Sequence, residues 1–131
     1  MAKTKRYLEA DVYSASVERI QYIFDNFEKI YVSFSGGKDS SVMFHLVVAE
    51  AIKRNRKVGI LLIDLEGQYT GTIEHIETMF EAYKDNIEVY WICLPIVLRN
   101  AVSTFQPRWM CWEPGQEENW VRPIPKHPGV I

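Results

Sequence analysis

Residues 30–41 read Ile30-Tyr31-Val32-Ser33-Phe34-Ser35-Gly36-Gly37-Lys38-Asp39-Ser40-Ser41, and this stretch decides the fold. Its first five residues are β-branched or aromatic at four positions, which predicts a strand over 30–34. From Asp39 to about residue 55 the pattern is helical. Val42, Leu46, Ala49 and Lys53 trace one face, and Met43, Val47 and Val48 widen it. The six residues Ser35 to Ser40 therefore fall between a strand and a helix. Two glycines remove the side chains that would block close backbone approach to an anion, and they permit a tight turn. A helix that starts there presents unpaired N–H groups and a partial positive charge. Lys38 adds a full charge, and Ser35, Ser40 and Ser41 add hydroxyl donors. The bland alternative is an ordinary Gly-Gly turn with a chance lysine. The segment is not a Walker A loop, which needs four residues between its glycines and Ser or Thr after the lysine. No GxGxxG dinucleotide fingerprint is present either.

Outward from this loop the chain alternates. Upstream, Ser16 is a candidate N-cap for a helix over 17–29, with Val17, Ile20, Phe24 and Phe27 at helical spacing. Downstream, residues 58–64 form a nearly continuous apolar run ending in Asp64, as in a strand buried on both faces of a parallel sheet. Thr70 or Thr72 opens a third helix, with Ile73, Ile76, Phe80 and Tyr83 on one face, and residues 87–94 form a third strand. Alternation of this kind predicts an α/β fold: a parallel, Rossmann-like sheet with flanking helices and right-handed crossovers. Three strands and two crossovers make one half of a doubly wound sheet. The basic cluster Lys53, Arg54, Arg56 and Lys57 reads as a solvated helix end, with a phosphate or RNA patch as the alternative.

Beyond Pro95 the pattern changes. A short helix over 96–104 is expected, followed by irregular sequence in which five prolines punctuate Trp109, Trp112 and Trp120. The organisation is then a lead-in over 1–15, a partial nucleotide-binding domain over 16–105 and a Pro/Trp-rich tail over 106–131. The tail tryptophans read as core or interface residues rather than base-stacking platforms. A net charge of −2 gives no whole-chain field for nucleic acid or an anionic membrane. The longest apolar runs are far below the roughly 20 residues of a membrane span, and no apolar signal-peptide core follows the basic N-terminus. Cys93 and Cys111 form no CxxC and stand beside no paired His/Cys spacing, so neither zinc, an iron–sulfur cluster nor a disulfide framework is expected. Two loose thiols fit a reducing cytoplasm.

The segment Ser35-Gly36-Gly37-Lys38-Asp39-Ser40 after a β-branched strand resembles the PP-loop of the ATP pyrophosphatase and phosphoadenosine-phosphosulfate (PAPS) reductase superfamily. Leu62-Ile63-Asp64 is similar to the hydrophobic strand ending in Asp that follows the loop in that group. Asp64-Leu65-Glu66-Gly67-Gln68-Tyr69 and Trp109-Met110-Cys111-Trp112-Glu113-Pro114 look closest to a reductase-like branch, which includes coactivators of the immunoglobulin-binding regulator type. The resemblance implies an adenine nucleotide alpha-hydrolase-like fold. It implies phosphate contacts from Ser35, Gly36, Gly37, Lys38, Asp39 and Ser40, with Ser41 beside them. Adenine would lie against backbone near Ser33, Phe34, Leu62 and Ile63. Members that use ATP adenylate a substrate and release pyrophosphate, usually with magnesium. Lys38 would then stabilise charge developing on the phosphates. Asp39 would organise metal or loop, or simply cap the helix. Asp64 ends a central strand where ligands bind in such sheets, so it is expected to contact ligand or metal, or to cap a loop. Glu66 is a second candidate for metal, and Arg99 a candidate for phosphate or sulfate. His45 and His75 read as packing or surface residues.

Two departures qualify the resemblance. Thr70-Gly71-Thr72 stands where PAPS reductases carry Pro-Glu-Thr, and no C-terminal Glu-Cys-Gly-x-His-type segment with a nucleophilic cysteine exists here. Sulfonucleotide reduction by this chain alone is therefore not expected. A non-catalytic regulatory protein that keeps the nucleotide site, and a component of a nucleic-acid sulfur-modification system, are the alternatives. The 131 residues spend their first 94 on one half-sheet, with at most a short edge from Trp120-Val121-Arg122 to follow. They read as the front half of a larger domain: a truncated product, or a piece completed by a partner subunit or by self-association.

Overall fold

A computed structural model describes Lys5 and residues 7–131; the rest of the expected lead-in lies outside the described residues. The first helix, α1, spans Val12–Asn26 and is capped by Asp11, whose carboxylate accepts the Ser14 backbone N–H at 2.8 Å. It thus starts five residues before the expected Val17. Ser16 is not its cap: its hydroxyl donates back to the Val12 carbonyl at 2.7 Å, as mid-helix serines do. The helix also ends before Lys29. The Arg56 guanidinium donates to the carbonyls of Phe24, Phe27 and Glu28, which stops it. Arg54 bridges Glu50 and Asp25. The basic cluster at the end of the second helix is in these two residues a clamp between helices.

The core is a parallel sheet of β1 (Tyr31–Ser33), β2 (Val58–Ile63) and β3 (Ile87–Ile92), in the order β1-β2-β3. Helix α2 (Lys38–Lys53) links β1 to β2, and α3 (Thr70–Ala82) links β2 to β3. Two right-handed crossovers taken in the same direction put both helices on one face. There Phe34 meets Phe44 of α2 and Phe80 of α3, with ring centroids 5.1 and 5.9 Å apart. Val58, Ile60, Leu62 and Trp91 complete this buried layer. The buried stripe of α2 is Phe44, Val47, Val48 and Ala51; Val42 and Ala49, expected on it, are exposed. Apolar residues all round this helix left its rotation open, and packing of Phe44, Val47, Val48 and Ala51 in the core sets it.

The opposite face of the sheet is bare among the described residues. Tyr31 is 67% exposed, Ile63 50% and Tyr90 39%. Tyr31 and Tyr90, with Gly59, Leu61 and Glu88, border an open depression. A parallel sheet normally buries both faces.

The chain after Pro95 departs most from expectation. In place of a helix over 96–104, β4 (Ile96–Arg99) pairs antiparallel with β5 (Arg108–Cys111). Ile96-Val97-Leu98 is a β-forming run, and the Asn100 N–H donates to the Pro107 carbonyl at 2.9 Å to close the hairpin. Trp120-Val121-Arg122 adds no edge. Instead residues 129–131 lie along β3 in parallel fashion, with Trp91 N–H donating to Gly129 at 2.7 Å and Ile131 N–H to Trp91 at 2.8 Å. β1 is therefore the outer strand of the three, as expected.

Candidate functional site

The loop between β1 and α2 has the geometry its sequence demands. Gly36 is left-handed, with φ of 75°. A Cβ there would lie 2.9 Å from Ile76 Cδ1 and from Thr72 Cγ2, so α3 packs directly on the loop. Gly37 is the N-cap of α2, and the first helical bond runs from Ser41 N–H to its carbonyl at 2.9 Å. The backbone N–H groups of Lys38, Asp39 and Ser40 precede that bond and have no carbonyl of the helix to meet. Lys38 and Asp39 are exposed in the first turn. Asp39 is thus not the cap. The hydroxyls are ordered among themselves: Ser35 Oγ is 3.0 Å from Ser40 Oγ, Ser40 Oγ donates to Gly37 O at 3.0 Å, and Ser41 Oγ donates to it at 2.9 Å. The result is a largely exposed loop that carries amides, hydroxyls and one ammonium, with no carboxylate but Asp39. That donor set suits a phosphate or sulfate group.

Ser33 and Ile63 lie at the carboxyl ends of neighbouring strands and are exposed. The Phe34 ring is committed to the core, so only its backbone faces outward chemistry; its N–H continues the ladder to Leu61 at 2.9 Å.

Asp64 takes the second of its two expected roles, capping the loop after β2, and adds partners from the tail. It is fully buried. Its Oδ1 accepts the Glu66 N–H at 2.9 Å and pairs with Arg122, while Oδ2 accepts Trp91 Nε1–H at 2.7 Å. Its carbonyl accepts Trp112 Nε1–H at 2.7 Å. Glu66 is equally committed, accepting the N–H of Trp112 at 2.6 Å and of Val121 at 2.8 Å. Glu66 and Trp112 are both left-handed, with φ of 64° and 51°, and are the two ends of one hydrogen bond. Arg122 lies over the Trp112 ring at 5.1 Å, and Trp112 meets Trp120 edge-on at 5.2 Å. The two carboxylates after β2 thus anchor the Trp-rich segment over the strand end. Among the described residues no group of three or more His, Cys, Asp or Glu side chains could hold a metal. The donors present do not fit a resident magnesium ion; magnesium carried on a nucleotide's phosphates would belong to the ligand. Sequence reasoning missed Arg122, which nothing local marks.

The thiols are the reverse of activated. Burial, reinforced by the charge of Asp64, pushes Cys93 up to about 12. Burial also raises Cys111, whose Sγ faces the Ile96 carbonyl at 3.4 Å. A nucleophilic thiol needs a lowered pKa and access. Arg99 is exposed on the hairpin.

Residues 29–113 match the family model of the phosphoadenosine phosphosulfate reductase domain. An uncharacterized protein, YbdN, of Escherichia coli (strain K12) is 41% identical over 120 residues, which make up 91% of this chain and 29% of that protein. The chain therefore spans less than a third of that relative's length. No solved structure matches it.

Proposed function

The chain belongs to the phosphoadenosine phosphosulfate reductase domain family, and on that premise we propose that it binds an adenine nucleotide, ATP or PAPS, through the loop from Ser35 to Ser41. The observation that carries this reading is the left-handed Gly36 leading into an uncapped helix N-terminus beside Lys38. Backbone at Ser33, Phe34 and Ile63 would flank the adenine, and Asp64 supports the site from below. Lys38 supplies the charge that a phosphoryl leaving group develops. In complete form such a site adenylates a substrate and releases pyrophosphate, or acts on a sulfonucleotide. The buried thiols favour the first over sulfonucleotide reduction. They also fit a reducing, cytoplasmic setting, and no described helix is long and apolar enough to cross a membrane.

Calorimetry with ATP, AMP, adenylyl sulfate and PAPS tests the reading and ranks the nucleotides. Lys38→Ala is expected to weaken the best of them by roughly 10–150-fold, the equivalent of one charge-assisted hydrogen bond of about 1.5–3 kcal/mol. Unchanged affinity would remove Lys38 from the site. Binding without pyrophosphate release, with candidate acceptors present, would mark a regulatory rather than catalytic domain.

Self-association, or a partner subunit, belongs to the same proposal. The exposed Tyr31, Ile63 and Tyr90 on the bare sheet face support it. Light scattering is expected to give a mass above that of one chain, and Ile63→Lys to return it to a monomer. A monomeric wild type at high concentration would exclude a second copy on this face.

A further inference from the structure

One turn of α3 touches the phosphate loop with three residues. Thr72 and Ile76 confine Gly36, and His75 Nε2 lies 2.9 Å from Ser41 Oγ. The donors around the Gly37 carbonyl are too many for a single arrangement. Its carbonyl stands within reach of three donors: Ser41 N at 2.9 Å, Ser40 Oγ at 3.0 Å and Ser41 Oγ at 2.9 Å. A carbonyl oxygen has two lone pairs. The helical bond from Ser41 N takes one, so the two hydroxyls compete for the other. Each has an alternative: Ser40 can turn to Ser35 Oγ at 3.0 Å, and Ser41 to His75 Nε2.

We propose that His75 is a positioning residue of this anion site, that its neutral ring carries its hydrogen on Nδ1, and that adding a proton at Nε2 selects which serine holds the Gly37 carbonyl. This rests on the phosphate-loop reading above. With Nε2 bare, the Ser41 hydroxyl donates to the imidazole and the Ser40 hydroxyl is held by Gly37. When Nε2 carries a proton, it donates to Ser41 Oγ. Ser41 then donates to Gly37, and the Ser40 hydroxyl is released to point at an incoming phosphate or sulfate. The imidazolium also adds positive charge at the rim. The one proton exchanged with solvent is the one His75 takes up; the serine hydroxyls keep theirs and only turn. The other groups around the imidazole are few. On α2, Lys38 and His45 stand one turn before and after Ser41, and His45 Nδ1 is 3.1 Å from Tyr83 Oη. On α3, Glu74 precedes it, with its carbonyl taken by Thr78. From the residue after β1 comes the uncharged Phe34 ring, 6.5 Å away.

The test uses inorganic sulfate, whose charge is constant between pH 5.5 and 8.5. Binding is followed through the amide resonances of Gly36 and Gly37. Wild type is expected to bind sulfate about tenfold more tightly at pH 5.5 than at 8.5. His75→Gln, whose amide can donate to Ser41 at every pH, is expected to flatten the profile to less than about twofold while still binding. Ser41→Ala should flatten it too, because the relay is cut. His45→Gln should leave it as in wild type. A His75→Gln protein that keeps the full pH dependence overturns the proposal. Should wild type and Lys38→Ala both fail to bind sulfate at any pH, the phosphate-loop reading fails, and this proposal with it.

Discussion

Replacing Arg122 with alanine is expected to lower the unfolding free energy by about 3–5 kcal/mol, read from urea unfolding at neutral pH. The reason lies in what is left behind. Asp64 is fully buried, and Arg122 is the only cation among its partners. Taking the guanidinium away strands a carboxylate in a place where water does not reach. Three hydrogen bonds remain to it, from Trp91 Nε1, the Glu66 N–H and, at 3.9 Å, the weak donor Cys93 Sγ, and they are too few to replace hydration. The variant also loses the cation over the Trp112 ring. Asp64→Ala is expected to cost a similar amount, because it leaves Trp91 Nε1 without its acceptor and Arg122 without its counter-charge. The double variant should lose less than the sum, and that difference is the coupling of the pair. A loss below about 0.5 kcal/mol for Arg122→Ala, the scale of an ordinary surface substitution, would mean that the pair is not formed. Asp64 would then be available to a ligand or metal, as its place at the end of β2 first suggested.

This pair also shows where the sequence stops being legible. The strand, loop and helix over 30–53 could be read locally, because β-branched residues, adjacent glycines and a helical repeat are all signals within a few residues of each other. The parallel order followed from alternation alone. Asp64 could be recognised as important from its position, but its chemistry could not. Its cation lies 58 residues further along, in a segment without period. The His75–Ser41 contact spans 34 residues and was invisible for the same reason. Residues 96–104 read as a short helix because four apolar or long residues carry little periodicity, and the deciding fact is the pairing of β4 with β5. The start of α1 was missed for a smaller reason. Asp11 and Ser14 form a capping pair just as regular as the Ser16 start, and only the backbone tells them apart.

The loop itself makes the second large prediction, because its two adjacent glycines are not equivalent. Gly36→Ala is expected to destabilise the fold by about 2–5 kcal/mol. The left-handed conformation costs a side-chain-bearing residue roughly 1–2 kcal/mol, and overpacking adds about 1–3 kcal/mol. The overpacking is specific: the new methyl would sit 2.9 Å from Ile76 Cδ1 and Thr72 Cγ2, so either the loop or the first turns of α3 must move. Gly37→Ala meets nothing closer than Ser35 Oγ at 3.5 Å, and Gly37 is extended, with φ of −77°. Its cost should stay near 1 kcal/mol or below, since it only weakens a cap. The functional consequence follows from the same contact. Moving the loop away from α3 lengthens the Ser41–His75 distance and turns the free amides of α2 away from the anion. Gly36→Ala should therefore lose nucleotide binding even at temperatures where it remains folded, while Gly37→Ala keeps the fold and the packing of the loop on α3. Thermal unfolding beside calorimetry separates the two effects. If Gly36→Ala unfolded with the wild-type midpoint, the left-handed turn and its packing on α3 would both be wrong, and with them the shape that lets this loop close around an anion.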